Sequence, residues 1–189
     1  MISIPQTLVG HLLLSFPDMR KSESHKAVVF IAHHSKQGSM GFVINQMVDE
    51  VEWCDVFQML SGATYGENEA VLWGGPVEMN RGFVLHSSDY KTKGTVSVDQ
   101  THALTADHAF FSDLSKGVAI EKPADFLLLL GCVKWRPGQL EEELAQHEWL
   151  LSPSNAELTF RTPLEEKWHH ASTLLGIPRG YLTCFPGEA

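Results

Sequence analysis

The sequence offers little cysteine chemistry. Its three cysteines are odd in number and far apart, and no two of them form a Cys-x-x-Cys pair; they are Cys54, Cys132 and Cys184. This usage is typical of reduced thiols, and it argues against a disulfide-stapled scaffold. We therefore expect free cysteines and a cytoplasmic location.

Long hydrophobic runs and an excess of basic residues are also missing. The longest apolar stretches, such as residues 126–130, are far too short to cross a bilayer, and residues 1–6 carry no basic region ahead of an apolar one. Acidic residues outnumber basic ones by 23 to 14, which gives a formal charge of -9. That charge repels phosphate backbones and anionic membranes, so we expect no membrane partner and no direct nucleic-acid binding.

Recognisable metal, cofactor and nucleophile motifs are lacking as well. The adjacent histidine pairs His33–His34 and His169–His170 diverge on a strand or a helix, so neither pair can chelate by itself. The segment Gly38-Ser39-Met40-Gly41 is not the Gly-x-Ser-x-Gly elbow, because its serine directly follows the first glycine. We predict a turn there, and neither a metal, structural or otherwise, nor a cofactor in the protein.

Composition predicts one ordinary globular domain. The 189 residues are 43% hydrophobic and 20% charged, and a chain of this length buries roughly 70% of its unfolded surface without metals or disulfides. No linker-like stretch divides it. We expect a single domain over residues 1–189, with a poorly fixed tail at 179–189.

Two short segments resemble each other: Gly41-Phe42-Val43-Ile44-Asn45 and Gly82-Phe83-Val84-Leu85-His86. Each follows an apolar run and a polar loop that contains glycine, which predicts two β-hairpins. If the hairpins lie side by side, Asn45 and His86 emerge at equivalent strand ends.

Those strand ends would lie near Arg81 and the break at residues 74–76, forming a small pocket for an anion or a peptide. The alternative is that Arg81 and Asn45 hydrogen-bond loop carbonyls and hold a bent sheet. Trp135 would favour a protein partner if exposed and would be core if buried. The candidate binding residues are therefore Asn45, Gly74, Gly75, Arg81, His86 and Trp135.

Apolar runs and periodicity predict the remaining elements. We expect inner strands at 8–15 and 27–33, a central strand at 126–130 and an edge strand at 95–98. Helices are expected from Asp49 to Gly62, over 106–116, from about 139 and over 163–175.

The last predicted helix has the strongest end signals. Thr162 and Glu165 match a capping box, Pro163 fits the first helical position, and Gly176 is a stop. Its inward stripe consists of Leu164, Trp168, Ala171 and Leu175, and its outward face of Glu165, Glu166, Lys167, His169 and His170.

Several of these segments together carry a family resemblance. They are His34 with 38–45, 74–77, 81–83 with His86, 138–141, and 162–168. From about residue 8 to 177 the chain resembles the YqgE/AlgH family of bacterial proteins. The resemblance implies an α+β fold in which a mostly antiparallel, bifurcated sheet bends into a partial barrel with about four helices packed outside. It also brings the label of a transcriptional regulator, derived from one branch, and no agreed catalytic residues.

The leading functional expectation is a non-enzymatic protein that acts through protein or small-ligand contacts, with an indirect regulatory effect. Direct operator binding is the first alternative, although a basic recognition helix is missing. A hydrolase or phosphotransferase that uses a pocket near Arg81 is the second.

Overall fold

One nine-stranded sheet runs through the residues that the computed structural model describes, namely 7–16, 26–48, 70–106 and 123–177. Its strands are β1 (His11–Ser15), β2 (Val28–Ser35), β3 (Gly38–Val43), β4 (Val71–Trp73), β5 (Val77–Ser87), β6 (Thr95–Ser97), β7 (His102–Thr105), β8 (Phe126–Trp135) and β9 (Trp149–Pro153). The order is β6-β7-β5-β8-β3-β2-β1-β9, and β4 also pairs with β8. These pairings are antiparallel except for that of β4 with β8.

The sheet is curled into a half-barrel. Phe30 on β2 and His102 on β7 have ring centroids 4.8 Å apart, although β5, β8 and β3 lie between those strands in the sheet order. Such a contact requires the sheet to bend back on itself. The predicted α+β class with a mostly antiparallel, bent sheet is confirmed in this coarse form.

Three helical elements accompany the sheet in the described ranges. They are α1 (Gln139–Ala145), α2 (Leu164–Leu174) and a π-helical turn, the π turn (Glu157–Arg161). The helices predicted from Asp49 and over 106–116 lie outside the described residues, as does the predicted tail at 179–189. The expected number of about four helices is therefore not confirmed.

The predicted inner strands form because their side chains are covered on both faces. On β2, Phe30 belongs to a cluster that includes Trp168 of α2, whereas Val29 and Ile31 belong to a cluster that includes Leu140 of α1. Alternate residues of a strand point to opposite faces, so a continuous apolar run is needed. The predicted hairpin of β2 and β3 is confirmed. The predicted central strand is β8, which pairs with β3 and β5, and the predicted edge strand is β6, which ends the strand order.

The second predicted hairpin is wrong, because β4 and β5 do not pair with each other. Val71 of β4 pairs with Leu128 of β8 in parallel, and Val84 of β5 pairs with the same Leu128 in antiparallel. One residue can serve two partners only on opposite edges of its strand. The two segments therefore flank β8, which comes about 40 residues later in the chain.

The connection from β4 to β5 must cross β8 within residues 74–76. Gly74, Gly75 and Gly131 allow this crossing because their backbones lie in contact: a Cβ on Gly74 would lie 2.3 Å from the carbonyl oxygen of Gly131, and one on Gly75 would lie 2.4 Å from the carbonyl carbon of Cys132. Gly131 also has a φ of +71°, which side chains disfavour. This glycine crossing holds the two flanking strands against β8.

The start of α2 differs by one residue from the predicted capping box. Pro163 has a ψ of 143° and is the N-cap rather than the first helical residue. The Thr162 hydroxyl donates to the carbonyl oxygen of Glu157 in the preceding π turn, at 3.1 Å. Because Thr162 is committed to that turn, it does not cap the helix. The inward positions Trp168 and Ala171 are buried as predicted.

Lys167 was expected on the outer face of α2 and is fully buried. Its Nζ donates to the carbonyl oxygens of Leu158 and Thr159 in the π turn. Thr159 in turn shares a 3.0 Å hydrogen bond between its hydroxyl and Nε2 of His102 on β7, and Nδ1 of His102 lies 2.9 Å from the carboxylate of Asp99. This chain of four residues, the polar closure, joins the β7 end of the sheet to α2.

We predict that Gly131→Ala destabilises the fold far more than Gly176→Ala. Both glycines have similar left-handed backbones, with φ values of +71° and +74°, but a Cβ at Gly176 would meet nothing within 4 Å. The backbone cost common to both is about 1 kcal/mol, and overlap at the crossing adds about 2–3 kcal/mol at Gly131. Urea denaturation of the two variants measures the difference; equal losses would contradict the role of the crossing.

We also predict that Lys167 makes the free energy of unfolding rise between pH 8 and pH 10.5. Burial lowers the pKa of Lys167 from 10.5 to about 8. Between these values the unfolded chain holds a proton that the folded chain has lost, so stability increases with pH. The full difference corresponds to about 3 kcal/mol. Lys167→Met should remove this rise, as measured by urea unfolding at pH 7.5 and pH 10.5.

Lys134→Met is the matched control for the lysine experiment. A hydrogen bond to Glu78 raises the pKa of Lys134. The stability that protonated Lys134 contributes is therefore lost, and not gained, as pH rises. A variant at Lys167 with the same pH dependence as the unmodified protein would contradict the assignment.

Candidate functional site

Next to the glycine crossing, β5 departs from its pairing with β8. Val77 pairs with Cys132 and Gly82 pairs with Leu130, so residues 78–81 stand opposite the single residue Gly131. We name these four residues, Glu78, Met79, Asn80 and Arg81, the β5 bulge. Bulges bend a strand and redirect its side chains. Here Met79 is 52% exposed, and the Arg81 side chain is 54% exposed.

Charged groups fix the base of the β5 bulge. The Glu78 carboxylate lies 3.1 Å from a guanidinium nitrogen of Arg81 and also accepts from Nζ of Lys134 on β8. Hydrogen bonds from Lys134 and Arg81 lower the pKa of Glu78. The guanidinium of Arg81 also lies 5.0 Å above the ring of Phe83, a cation–π geometry. These contacts hold Glu78 in a left-handed conformation, with a φ of 55°.

The backbone of the β5 bulge packs directly against Gly131. A Cβ at Gly131 would lie 3.3 Å from Cα of Met79 and 3.0 Å from the carbonyl oxygen of Val77. The neighbouring Cys132 is fully buried, and burial raises the pKa of its thiol. A buried, protonated thiol is a poor nucleophile. The site therefore offers contact groups rather than a reactive sulfur.

The predicted site residues Gly74, Gly75 and Arg81 come together around this part of β8. Gly74 donates its N–H to the carbonyl oxygen of Leu130 at 2.8 Å, and both glycines are buried. Their immediate role is the close backbone approach described above. The structural alternative for Arg81 was a hydrogen bond to a loop carbonyl. The guanidinium pairs instead with the carboxylate of Glu78.

The other predicted site residues have separate partners. Asn45 accepts from the N–H of Val28 at 2.8 Å and donates to the carbonyl oxygen of Lys26 at 2.7 Å. It thereby ties the end of β3 to two backbone groups of the segment 26–28, including a carbonyl oxygen as the structural alternative for this residue expected. Any binding role of Asn45 stays a prediction.

His86 lies on β5 opposite Ala103 of β7 and is fully buried. One ring nitrogen lies 2.8 Å from the carbonyl oxygen of Ser87, and the other lies 2.9 Å from the hydroxyl of Thr105. Burial lowers the pKa of His86, which keeps the ring neutral at neutral pH. Its partners are thus distinct from those of Asn45 and Arg81.

Trp135 is 5% exposed and packs with α1. Its indole N–H donates to Glu143 at 2.8 Å, and the indole N–H of Trp149 donates to the same carboxylate oxygen at 2.8 Å. Of the two readings considered for Trp135, burial favours the core residue.

Three residues at the β5 bulge were not among the predicted site residues: Glu78, Met79 and Lys134. A signal was present, because the polar run from Glu78 to Arg81 interrupts an otherwise apolar strand. Its meaning depended on β8, which is distant in the sequence.

Comparison with known proteins places this architecture in a family. The AlgH-like family model matches residues 12–180. The chain belongs to the AlgH-like family. Among curated AlgH-like relatives, a UPF0301 protein of Rhodospirillum rubrum is 35% identical over 184 residues, covering 96% of this chain and 94% of the relative. A UPF0301 protein of Pasteurella multocida is 38% identical over 175 residues, covering 90% and 92%.

Solved structures agree with the AlgH-like fold. The solution structure of the AlgH protein from Pseudomonas aeruginosa matches with a TM-score of 0.77 and 30% identity, over 100% of both chains. A protein from Corynebacterium diphtheriae matches with a TM-score of 0.72 over 97% of this chain and 95% of its own, and its 16% identity supports the fold alone.

Two absences characterise the described part of this AlgH-like chain. No helix there is both long and apolar enough to traverse a membrane. In the same ranges, no three His, Cys, Asp or Glu side chains cluster so as to hold a metal ion.

We predict that Arg81→Ala remains folded and loses less than about 1 kcal/mol of stability, because its ion pair with Glu78 is exposed to solvent. Thermal denaturation followed by circular dichroism tests this. Unfolding of the variant at room temperature would show instead that Arg81 holds the sheet together.

Proposed function

We propose that this AlgH-like chain acts through protein contacts and that the β5 bulge is its contact surface. The observation that carries the proposal is Met79, a methionine left 52% exposed on a backbone that is fixed on both sides by the glycine crossing and by the Glu78 ion pairs. When a partner covers a side chain that stands on a fixed backbone, the side chain loses conformational freedom but the backbone does not have to be ordered as well.

The residue types of the β5 bulge suit a protein interface. Methionine and arginine are both enriched at such interfaces, and here the exposed side chains of Met79 and Arg81 stand two residues apart in one short segment. Lys134 and Arg81 share the single carboxylate of Glu78, which leaves one net positive charge on a protein of charge -9. We infer a partner with an apolar contact for Met79 beside an acidic group.

This proposal accounts for a regulatory effect without operator binding. A protein partner could transmit such an effect indirectly, whereas the net charge of -9 opposes approach to DNA. A hydrolase or phosphotransferase near Arg81 has weaker support, because the adjacent Cys132 thiol is buried.

We predict that Met79→Asp abolishes partner capture while Met47→Asp preserves it. Both methionines are exposed, at 52% and 57%, but Met47 lies beside β4 rather than on the β5 bulge. Immobilised protein is incubated with native bacterial lysate, and retained proteins and metabolites are quantified by mass spectrometry. A protein retained by the unmodified chain should fall at least 10-fold with Met79→Asp.

Equal retention by the two variants would contradict the proposed surface. Retention of a metabolite that Arg81→Ala removes, with no protein retained, would favour the small-ligand alternative. A sequence-selective gel shift with genomic fragments at moderate salt would favour direct DNA binding.

A further inference from the structure

A hydroxyl, an imidazole and a carboxylate meet at the β2–β3 hairpin, away from the β5 bulge. Ser39 and His34 are direct cross-strand partners, and the Ser39 hydroxyl lies 2.8 Å from Nδ1 of His34. On the other side of the ring, Nε2 of His34 lies 3.7 Å from a carboxylate oxygen of Glu141 on α1. This is the order of groups by which a base and an orienting acid activate a hydroxyl nucleophile.

The charge of the Glu141 carboxylate bears on which tautomer of His34 is favoured. A carboxylate beside Nε2 favours a proton on that nitrogen, which leaves Nδ1 free to accept the proton of the Ser39 hydroxyl. The hydroxyl then points its hydrogen at the base, as proton removal during attack requires. Glu141 acts through His34 and is a positioning residue.

A buried counterpart in the same protein shows what distinguishes this cluster. In the polar closure, Asp99, His102 and the Thr159 hydroxyl form the same sequence of groups. Thr159 and His102 are 0% and 1% exposed, so that cluster is sealed inside the fold. Ser39 keeps 6% of its surface, and the side chains of His34 and Glu141 keep 17% and 44%. In the hairpin cluster the imidazole and the carboxylate thus reach solvent, whereas Ser39 itself is nearly buried.

We propose that Ser39 is a nucleophile activated by His34 and that this second site takes small acyl esters. The proposal goes beyond the contact surface of the β5 bulge. The predicted turn at residues 38–41 is wrong, because these residues begin β3 and the turn lies at 36–37; an activated Ser39 also departs from the expectation of a non-enzymatic protein.

In the proposed reaction, the Ser39 oxygen attacks the ester carbonyl carbon while its proton passes to Nδ1 of His34. The bond from the acyl carbon to the alcohol oxygen then breaks, and the alcohol leaves with that proton. Water hydrolyses the resulting seryl ester, which releases the carboxylic acid and restores the hydroxyl. No redox partner is required.

The test uses a small fluorophosphonate on the full-length protein, followed by peptide mass spectrometry. The reagent forms a bond between the Ser39 oxygen and phosphorus as fluoride leaves and the proton goes to His34. Labelling is expected at Ser39. Ser35 is the internal control, because its hydroxyl lies 3.2 Å from Nε2 of His33 in an exposed pair without the Glu141 contact.

Variants separate activation from chance reactivity. His34→Gln should slow labelling of Ser39 and hydrolysis of p-nitrophenyl acetate at least 10-fold, the lower range for a general base. Ser39→Ala should abolish the labelling and reduce hydrolysis at least 10-fold. Glu141→Gln, a change at a partly exposed position, should lower the acylation rate several-fold with little change in KM.

Circular dichroism confirms that each variant is folded before it is compared. Absence of label at Ser39, equal labelling of Ser35, or labelling and hydrolysis unaffected by His34→Gln would each overturn the proposal. These outcomes are independent of partner capture at Met79, which tests the other surface.

Discussion

The structure depends on the passage of the chain across β8 between β4 and β5. Trp73 still pairs with Leu130 on one edge of β8, and Val77 already pairs with Cys132 on the other, so three residues must cross the strand. Backbone in contact with backbone leaves no volume for a Cβ, which is why glycine occupies the contact points. The crossing makes β8 the strand that both parts of the sheet share, and it therefore fixes the topology.

The β5 bulge is a geometric consequence of that crossing. The chain reaches the second edge of β8 at Cys132 but resumes regular pairing only at Leu130, so the extra residues of β5 must leave the ladder. They fold over Gly131, where the absence of a side chain lets the Met79 backbone come close. Because the same local strain produces both the close contact and the projecting side chains, the candidate surface is inseparable from the fold.

Sequence reasoning succeeded where neighbours in the chain decide the structure and failed where distant segments decide it. The apolar run of β2 already shows that both faces of the strand are covered, and the turn after Ser35 defines the first hairpin. Nothing near Gly82 reveals that β8 will insert beside β5, so the second hairpin was wrong. Helical periodicity predicted Lys167 on the outer face of α2, because that pattern carries no information about the π turn whose carbonyl oxygens accept from its Nζ. Of the candidate site residues, Gly74, Gly75 and Arg81 lie together around β8, whereas Asn45, His86 and Trp135 have separate partners; a binding role for any of the six stays a prediction.

Two imidazole-centred clusters in the described residues contain the same types of group and differ in burial. In the polar closure, each group of the Asp99–His102–Thr159 chain is held by its neighbours, and the Asp99 carboxylate also accepts two backbone N–H groups at 2.7 Å. Burial alone would raise the pKa of Asp99, but the hydrogen bonds from His102 and the backbone outweigh it and lower that pKa. A charge stabilised in this way stays fixed, and the polar closure joins the β7 end of the sheet to the π turn and α2. Around His34 the carboxylate of Glu141 is 44% exposed and 3.7 Å from the ring, so the imidazole stays partly open to solvent, while Ser39 keeps 6% of its surface.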